Sequence, residues 1–182
     1  MPRRISLVRI FLLLIALALP LTGTAAPDGI IVVRHAEKAD DGTSDPELSA
    51  AGRERARSLS ESLRHAEIAG LIATQYRRTQ QTLSGLAERT GLEITTVSAE
   101  SEQTDAHIAQ IVSRVEDSQA GGLLVVAGHS NTVPLIVEAL SGRSIATLDE
   151  SVYDRMFILL PTESGMAVVA TKYGAPSQPA KP

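Results

Sequence analysis

The feature that most constrains this chain is an alternation, repeated from residue 30 to residue 171, of short apolar runs with amphipathic helical stretches. Ile30, Ile31, Val32 and Val33 form a β-branched run of the kind found in strands buried on both faces. Ser49 reads as an N-cap, and Ala56, Leu59, Leu63 and Ala66 then recur at helical spacing opposite Arg53, Glu54, Arg57 and Glu61, predicting a helix to about His65. A strand around residues 71–73 leads into a second helix over 77–90, with Leu83, Leu86 and Ala87 inward and Gly91 as its stop. A weaker strand at 94–97 precedes a third helix from about Thr104, where Ile108, Ile111, Val112 and Val115 share one face. Residues 123–127 form another buried strand; a helix with Val133, Ile136, Val137 and Leu140 inward follows and ends at Gly142. Two closing strands fall at 156–160 and 166–171. Such alternation predicts an α/β fold, a three-layer α/β/α sandwich around a mostly parallel sheet. Ligands in such sheets bind beyond the carboxyl ends of the strands.

Composition narrows the chemistry. The 182 residues contain no Cys, which removes disulfides, thiolate metal sites and cysteine nucleophiles. With two Phe, three Tyr and no Trp, the core has to be aliphatic. Arg3, Arg4 and Arg9, an apolar run over residues 10–19, and small residues through Ala25 and Ala26 make residues 1–26 a secretory signal peptide. The run is about half of the roughly 20 residues a membrane span needs, so stable membrane insertion after cleavage is not expected. Residues 27–173 then form one domain, residues 174–182 a disordered tail rich in Pro and small residues, and the protein is periplasmic or secreted. Cleavage removes three arginines and no acidic group, taking the net charge from -4 to -7 and leaving no broad basic surface for nucleic acid.

Against that negative background, cationic residues collect at strand ends. The first strand delivers Arg34 and His35; the second leads through Thr74 and Tyr76 into Arg77 and Arg78; the strand at 123–127 delivers Gly128, His129 and Ser130. Arginine pairs bidentately with phosphate, and helix N-termini add backbone donors. A histidine nitrogen can serve as a nucleophile and carry a phosphoryl group, while nearby arginines neutralise the transferred oxygens and hold the imidazole unprotonated.

Other residues have simpler readings. His65 and His107 are read as structural groups, and Arg53, Arg55, Arg57 and Arg64 as a solvated helix face. A zinc site from His35, His65, His107 and His129 would need ligands at spacings that match no compact metal motif, so no metal is expected. A Ser130 nucleophile would want a strained turn with glycines on both sides, and only Gly128 is present.

The same residues resemble the histidine phosphatase superfamily, also called phosphoglycerate mutase-like. Its Arg-His-Gly tripeptide is similar to Arg34, His35 and Ala36, with Ala36 in place of the usual glycine; Asp45, Leu48, Ser49 and Gly52 resemble the pattern that opens its first helix. Residues 74–82 resemble the segment carrying its second arginine, here Arg78, and Gly128, His129 and Ser130 match its Gly-His-Ser segment. The resemblance implies metal-independent, cofactor-free phosphoryl transfer from a small phosphorylated substrate. It makes His35 the phosphorylated nucleophile, with Arg34, Arg78 and His129 completing the phosphate pocket and Lys38 and Ser130 beside the substrate. The family's general acid is a carboxylate of variable position; Glu100 is the first candidate, before Glu102, Asp105 and Glu37. Two other functions stay open: a non-catalytic phosphate-binding module, and an exported phosphohistidine-type protein phosphatase.

Overall fold

The computed structural model describes residues 26–119 and 121–177. The segment read as a signal peptide lies outside the described residues except for Ala26. Among the described residues no helix is long and apolar enough to cross a membrane.

A six-stranded sheet in the order β3-β2-β4-β1-β5-β6 forms the middle layer, built from β1 (Gly29–Arg34), β2 (Ile68–Ala73), β3 (Ile94–Thr96), β4 (Leu123–Gly128), β5 (Arg155–Thr162) and β6 (Gly165–Lys172). The first four pair in parallel, and β5 and β6 add an antiparallel ribbon against β1. β1 lies at the centre with all six residues buried, as its unbroken apolar run requires. Its side chains alternate between two cores. Ile30 and Val32 pack with Ile108, Ile111, Val133 and Ile136, which belong to α3 (Thr104–Glu116) and α4 (Thr132–Ser141). Ile31 and Val33 pack with Leu59, Leu83 and Leu86, from α1 (Ala50–Ser62) and α2 (Arg77–Thr90). The period of two along a strand thus sorts one run into both faces of the sandwich.

Local chemistry sets the helix ends. Ser49 Oγ accepts from the Gly52 amide at 3.1 Å, capping α1. Gly91 and Gly142 stand at φ 72° and 68°, closing α2 and α4 in the left-handed region that glycine enters without strain. α1 stops at Ser62, short of the expected His65, where Arg89 of α2 donates to the carbonyls of Leu63 at 3.0 Å and Arg64 at 3.4 Å. Those tertiary bonds satisfy carbonyls that a further helical turn would have used.

Two expectations need correction. Arg55 is not part of a solvated face: it is 4% exposed, donates from Nε and Nη2 to both carboxylate oxygens of Glu37, and reaches the Tyr173 carbonyl from Nη1 at 3.0 Å. Arg57 and Arg64 do stay exposed, paired with Glu54 and Glu61. The described part of the expected disordered tail is tied down through Ser177, whose Oγ accepts from the amides of Tyr153 and Asp154 while its own amide donates to the buried Asp154 carboxylate. Residues 178–182 lie outside the described residues.

Candidate active site

Parallel pairing of β1 with β4 places Arg34 opposite Gly128. The next residue on each chain is a histidine, and the two leave the sheet together. The His35 amide donates to the Gly128 carbonyl at 2.9 Å, and the His129 amide donates to Thr132 Oγ1 at 2.9 Å. A Cβ at position 128 would sit 2.9 Å from that same Thr132 oxygen, so glycine is what lets the α4 hydroxyl take the His129 amide. Ala36, where the family pattern has glycine, is fully buried beside Leu48 and Ala56, and no described non-glycine residue has positive φ.

The imidazole rings of His35 and His129 face each other edge-on, with centroids 5.3 Å apart. His35 Nδ1 lies 2.8 Å from the Ala36 carbonyl, which can only accept, so Nδ1 carries the proton and Nε2 keeps its lone pair. Burial is the main force holding the His35 pKa down to about 3; the Ala36 carbonyl opposes it, and His129, Arg34 and Arg78 lower it further. His129 is likewise lowered to about 3, by burial first and then by Arg78, His107 and Arg34. Its Nε2 lies 3.1 Å from Thr74 Oγ1, and Arg78 Nη2 approaches its Nδ1 at 3.5 Å. An arginine only donates, so this arrangement puts the His129 proton on Nε2, directed at Thr74.

The two arginines are held differently. Arg78 is half-buried at the start of α2, its guanidinium 4.3 Å over the Tyr76 ring and 3.6 Å from Asp45. Its neighbour Arg77 points away, exposed and paired with Glu47. Arg34 is 2% exposed and lies 4.0 Å over the Tyr153 ring. Its Nη1 donates to the carbonyls of Asp149, Glu150 and Val152 at 3.1, 2.8 and 3.0 Å, and its Nη2 meets the Glu150 carboxylate at 2.7 Å. Nε is enclosed without a partner.

These groups line a cavity of about 250 Å³, open to solvent, together with Lys38, Glu100, Thr104, His107, Ser130, Asn131, Thr132 and Glu150. Arg34, His35, Lys38, Arg78, Glu100, His129 and Ser130 thus line one cavity. Glu100 is on the wall, exposed, bonded by Ser98 Oγ at 3.1 Å. Of the other carboxylate candidates, Glu37 is committed to Arg55, whereas Glu102 and Asp105 do not line this cavity. His107 has more than the structural placement its sequence position suggests. It is buried, its Nδ1 donates to the Ser98 carbonyl at 2.9 Å, and it also forms part of the cavity wall.

Glu150 and Tyr153 are the residues the sequence reading missed. They arrive because β5 runs antiparallel to β1, with Met156 opposite Val33, so the chain entering β5 passes the carboxyl ends of the parallel strands. The only signal for them lay in recognising the two closing strands as a hairpin, whose first strand has to begin at that edge. Among the described residues no group of three or more His, Asp or Glu could hold a metal ion.

Residues 30–104 match the family model described as histidine phosphatase superfamily (branch 1). No curated protein matches the chain in sequence. The fold is similar to that of the protein histidine phosphatase SixA, solved with tungstate, at 18% identity and a TM-score of 0.57, covering 82% of this chain and 96% of that one. Mycobacterial glucosyl-3-phosphoglycerate phosphatase is similar at 15% identity and a TM-score of 0.57, covering 82% and 100%. An Escherichia coli protein described as a candidate alpha-ribazole-5'-P phosphatase is similar at 13% identity and a TM-score of 0.62, covering 81% and 97%. The matched segment is similar to branch 1 of the histidine phosphatase superfamily, and the fold is similar to that of these phosphatases.

Proposed function

We propose that this protein is a metal-independent phosphatase that hydrolyses a phosphomonoester through a phosphohistidine on His35. The observation that carries this reading is the state of the His35 ring: Nδ1 is fixed on the Ala36 carbonyl, the pKa is held near 3, and Nε2 is left as a base beside two arginines and a second histidine. A neutral imidazole nitrogen in a cationic cup is a nucleophile aimed at an anion. The Nε2 lone pair attacks phosphorus as the ester P–O bond breaks, and the departing oxygen takes a proton from Glu100. Water then attacks phosphorus, the N–P bond breaks, phosphate leaves, and the proton lost by water returns to the Glu100 carboxylate. Arg78, the Nε–Nη2 edge of Arg34 and Ser130 hold the phosphoryl oxygens through both steps, and His129 joins them as the arriving anion favours its imidazolium.

The structural neighbours are phosphatases of different description: a protein histidine phosphatase, a glucosyl-3-phosphoglycerate phosphatase and a candidate alpha-ribazole-5'-P phosphatase. What they share is phosphoryl removal, and the cavity here fits a small phosphomonoester with Lys38 at the rim. The arginines and apolar run of residues 1–26 support an exported, periplasmic or secreted protein. The test is hydrolysis of p-nitrophenyl phosphate by the wild type with and without chelator, and by His35→Ala. Activity that survives the chelator and disappears in the variant is expected; full activity in the variant overturns the mechanism.

A further inference from the structure

Arg34 presents its guanidinium in two unequal halves. Nη1 is anchored by three carbonyls of the loop over residues 149–152 and is not available to a ligand. Nε has no partner, and Nη2 has one side-chain partner, the Glu150 carboxylate. Nε and Nη2 lie along one edge of the guanidinium, the geometry that grips an oxyanion with two parallel bonds. The other oxygen of the same carboxylate accepts from Ser130 Oγ. The side chain of Glu150 is otherwise 82% exposed, at the open mouth of the cavity.

We infer that Glu150 is an internal occupant of the phosphate cup and a determinant of substrate charge: its carboxylate holds Arg34 Nη2 and Ser130 in the free protein and has to be displaced by the incoming phosphoryl group. The inference rests on the phosphate cup proposed above and adds a selection to it. A carboxylate brings one negative charge to these donors. A phosphomonoester dianion brings two, and displaces it; a monoanion such as a sulfate monoester or a phosphodiester brings no more charge than the resident group and gains little by the exchange. Because Nη1 stays anchored on backbone carbonyls, Arg34 is held in place when Glu150 leaves.

The experiment is an NMR titration of the full chain with inorganic phosphate and, separately, with p-nitrophenyl sulfate. It compares wild type, Glu150→Gln and Glu163→Gln, the last removing the same charge from the turn between β5 and β6 at the far end of the ribbon. Glu150→Gln is expected to bind phosphate roughly five- to tenfold more tightly than wild type, the scale of one partly exposed charged contact, and p-nitrophenyl sulfate to gain at least as much. Glu163→Gln is expected to stay within about twofold of wild type. Equal or weaker binding in Glu150→Gln, or an equal gain in Glu163→Gln, overturns the inference and leaves the cup intact. No binding of phosphate by any of the three proteins overturns the cup itself, and the inference with it.

Discussion

His35 and His129 are neighbours because Arg34 and Gly128 are paired across two parallel strands, and each histidine is the next residue along. The backbone bond from the His35 amide to the Gly128 carbonyl continues that pairing one step beyond the sheet. The spacing of the two rings is therefore set by strand register, which the buried apolar faces of β1 and β4 make hard to shift.

The tautomer of His35 dictates where a phosphoryl group attaches. With Nδ1 occupied by the Ala36 carbonyl, the phosphoenzyme should carry phosphorus on Nε2. Trapping with a fast-turnover aryl phosphate, followed by mass spectrometry and ³¹P NMR under alkaline conditions, should find that isomer on His35. His35→Ala should lose at least about a thousandfold in kcat/KM. Phosphorus on Nδ1, or on another residue, would contradict the geometry.

Arg77 and Arg78 are adjacent in sequence and point to different surroundings, Arg78 to the cavity and Arg77 to an exposed pair with Glu47. Arg78→Ala should lower kcat/KM for p-nitrophenyl phosphate by roughly ten- to a thousandfold, since it removes a charged donor beside His129. Arg77→Ala, which breaks only an exposed pair with Glu47, should stay within about twofold. Steady-state kinetics on both variants decide it.

Glu100 should matter in proportion to the basicity of the leaving group. Glu100→Gln is expected to lose roughly 10² to 10⁴ in kcat on an alkyl phosphate and little on p-nitrophenyl phosphate, whose phenolate leaves without a proton. Equal losses on both substrates would place Glu100 in binding and not in proton transfer.

Low pH should destabilise the free protein through its histidines. His35 and His129 are held near 3 in the folded state and return to about 6.5 on unfolding. The unfolded chain therefore binds more protons below pH 6.5, and the stability present above that pH is lost as pH falls towards 3. Tm should drop between pH 7 and pH 4, and saturating phosphate should recover more of it at pH 5 than at pH 7, because the anion favours the protonated His129. A His35 imidazole seen by NMR to titrate near 6.5 would contradict this.

Arg55 departs from the solvated face expected of it, whereas Arg57 stays on that face. Arg55→Ala strips the partner from Glu37 inside the fold and should destabilise by about 3 kcal/mol, whereas Arg57→Ala should change stability by less than about 0.5 kcal/mol. Urea denaturation of the two variants is the measurement.

Much of this protein was legible in the residues themselves. The period of each apolar run fixed which segments are strands and which are helices, because burial depends on where side chains point and that follows directly from backbone geometry. α2 matches its expected span, Arg77–Thr90, since Gly91 stops it locally. Arg34, His35 and His129 could be named because ligands collect at strand carboxyl ends and these three sit at or just beyond one, whereas the choice of Arg78 over Arg77 rests on the resemblance to the family's segment. What the linear chain could not show is how β5 is oriented and which of several like-charged residues turns inward. Those depend on partners far away in sequence: Glu37 for Arg55, Asp154 for Ser177, and the backbone of residues 149–152 for Arg34. A long-range bond leaves no periodic trace, so the loop that brings Glu150 and Tyr153 to the histidines was decided only when the hairpin closed against β1.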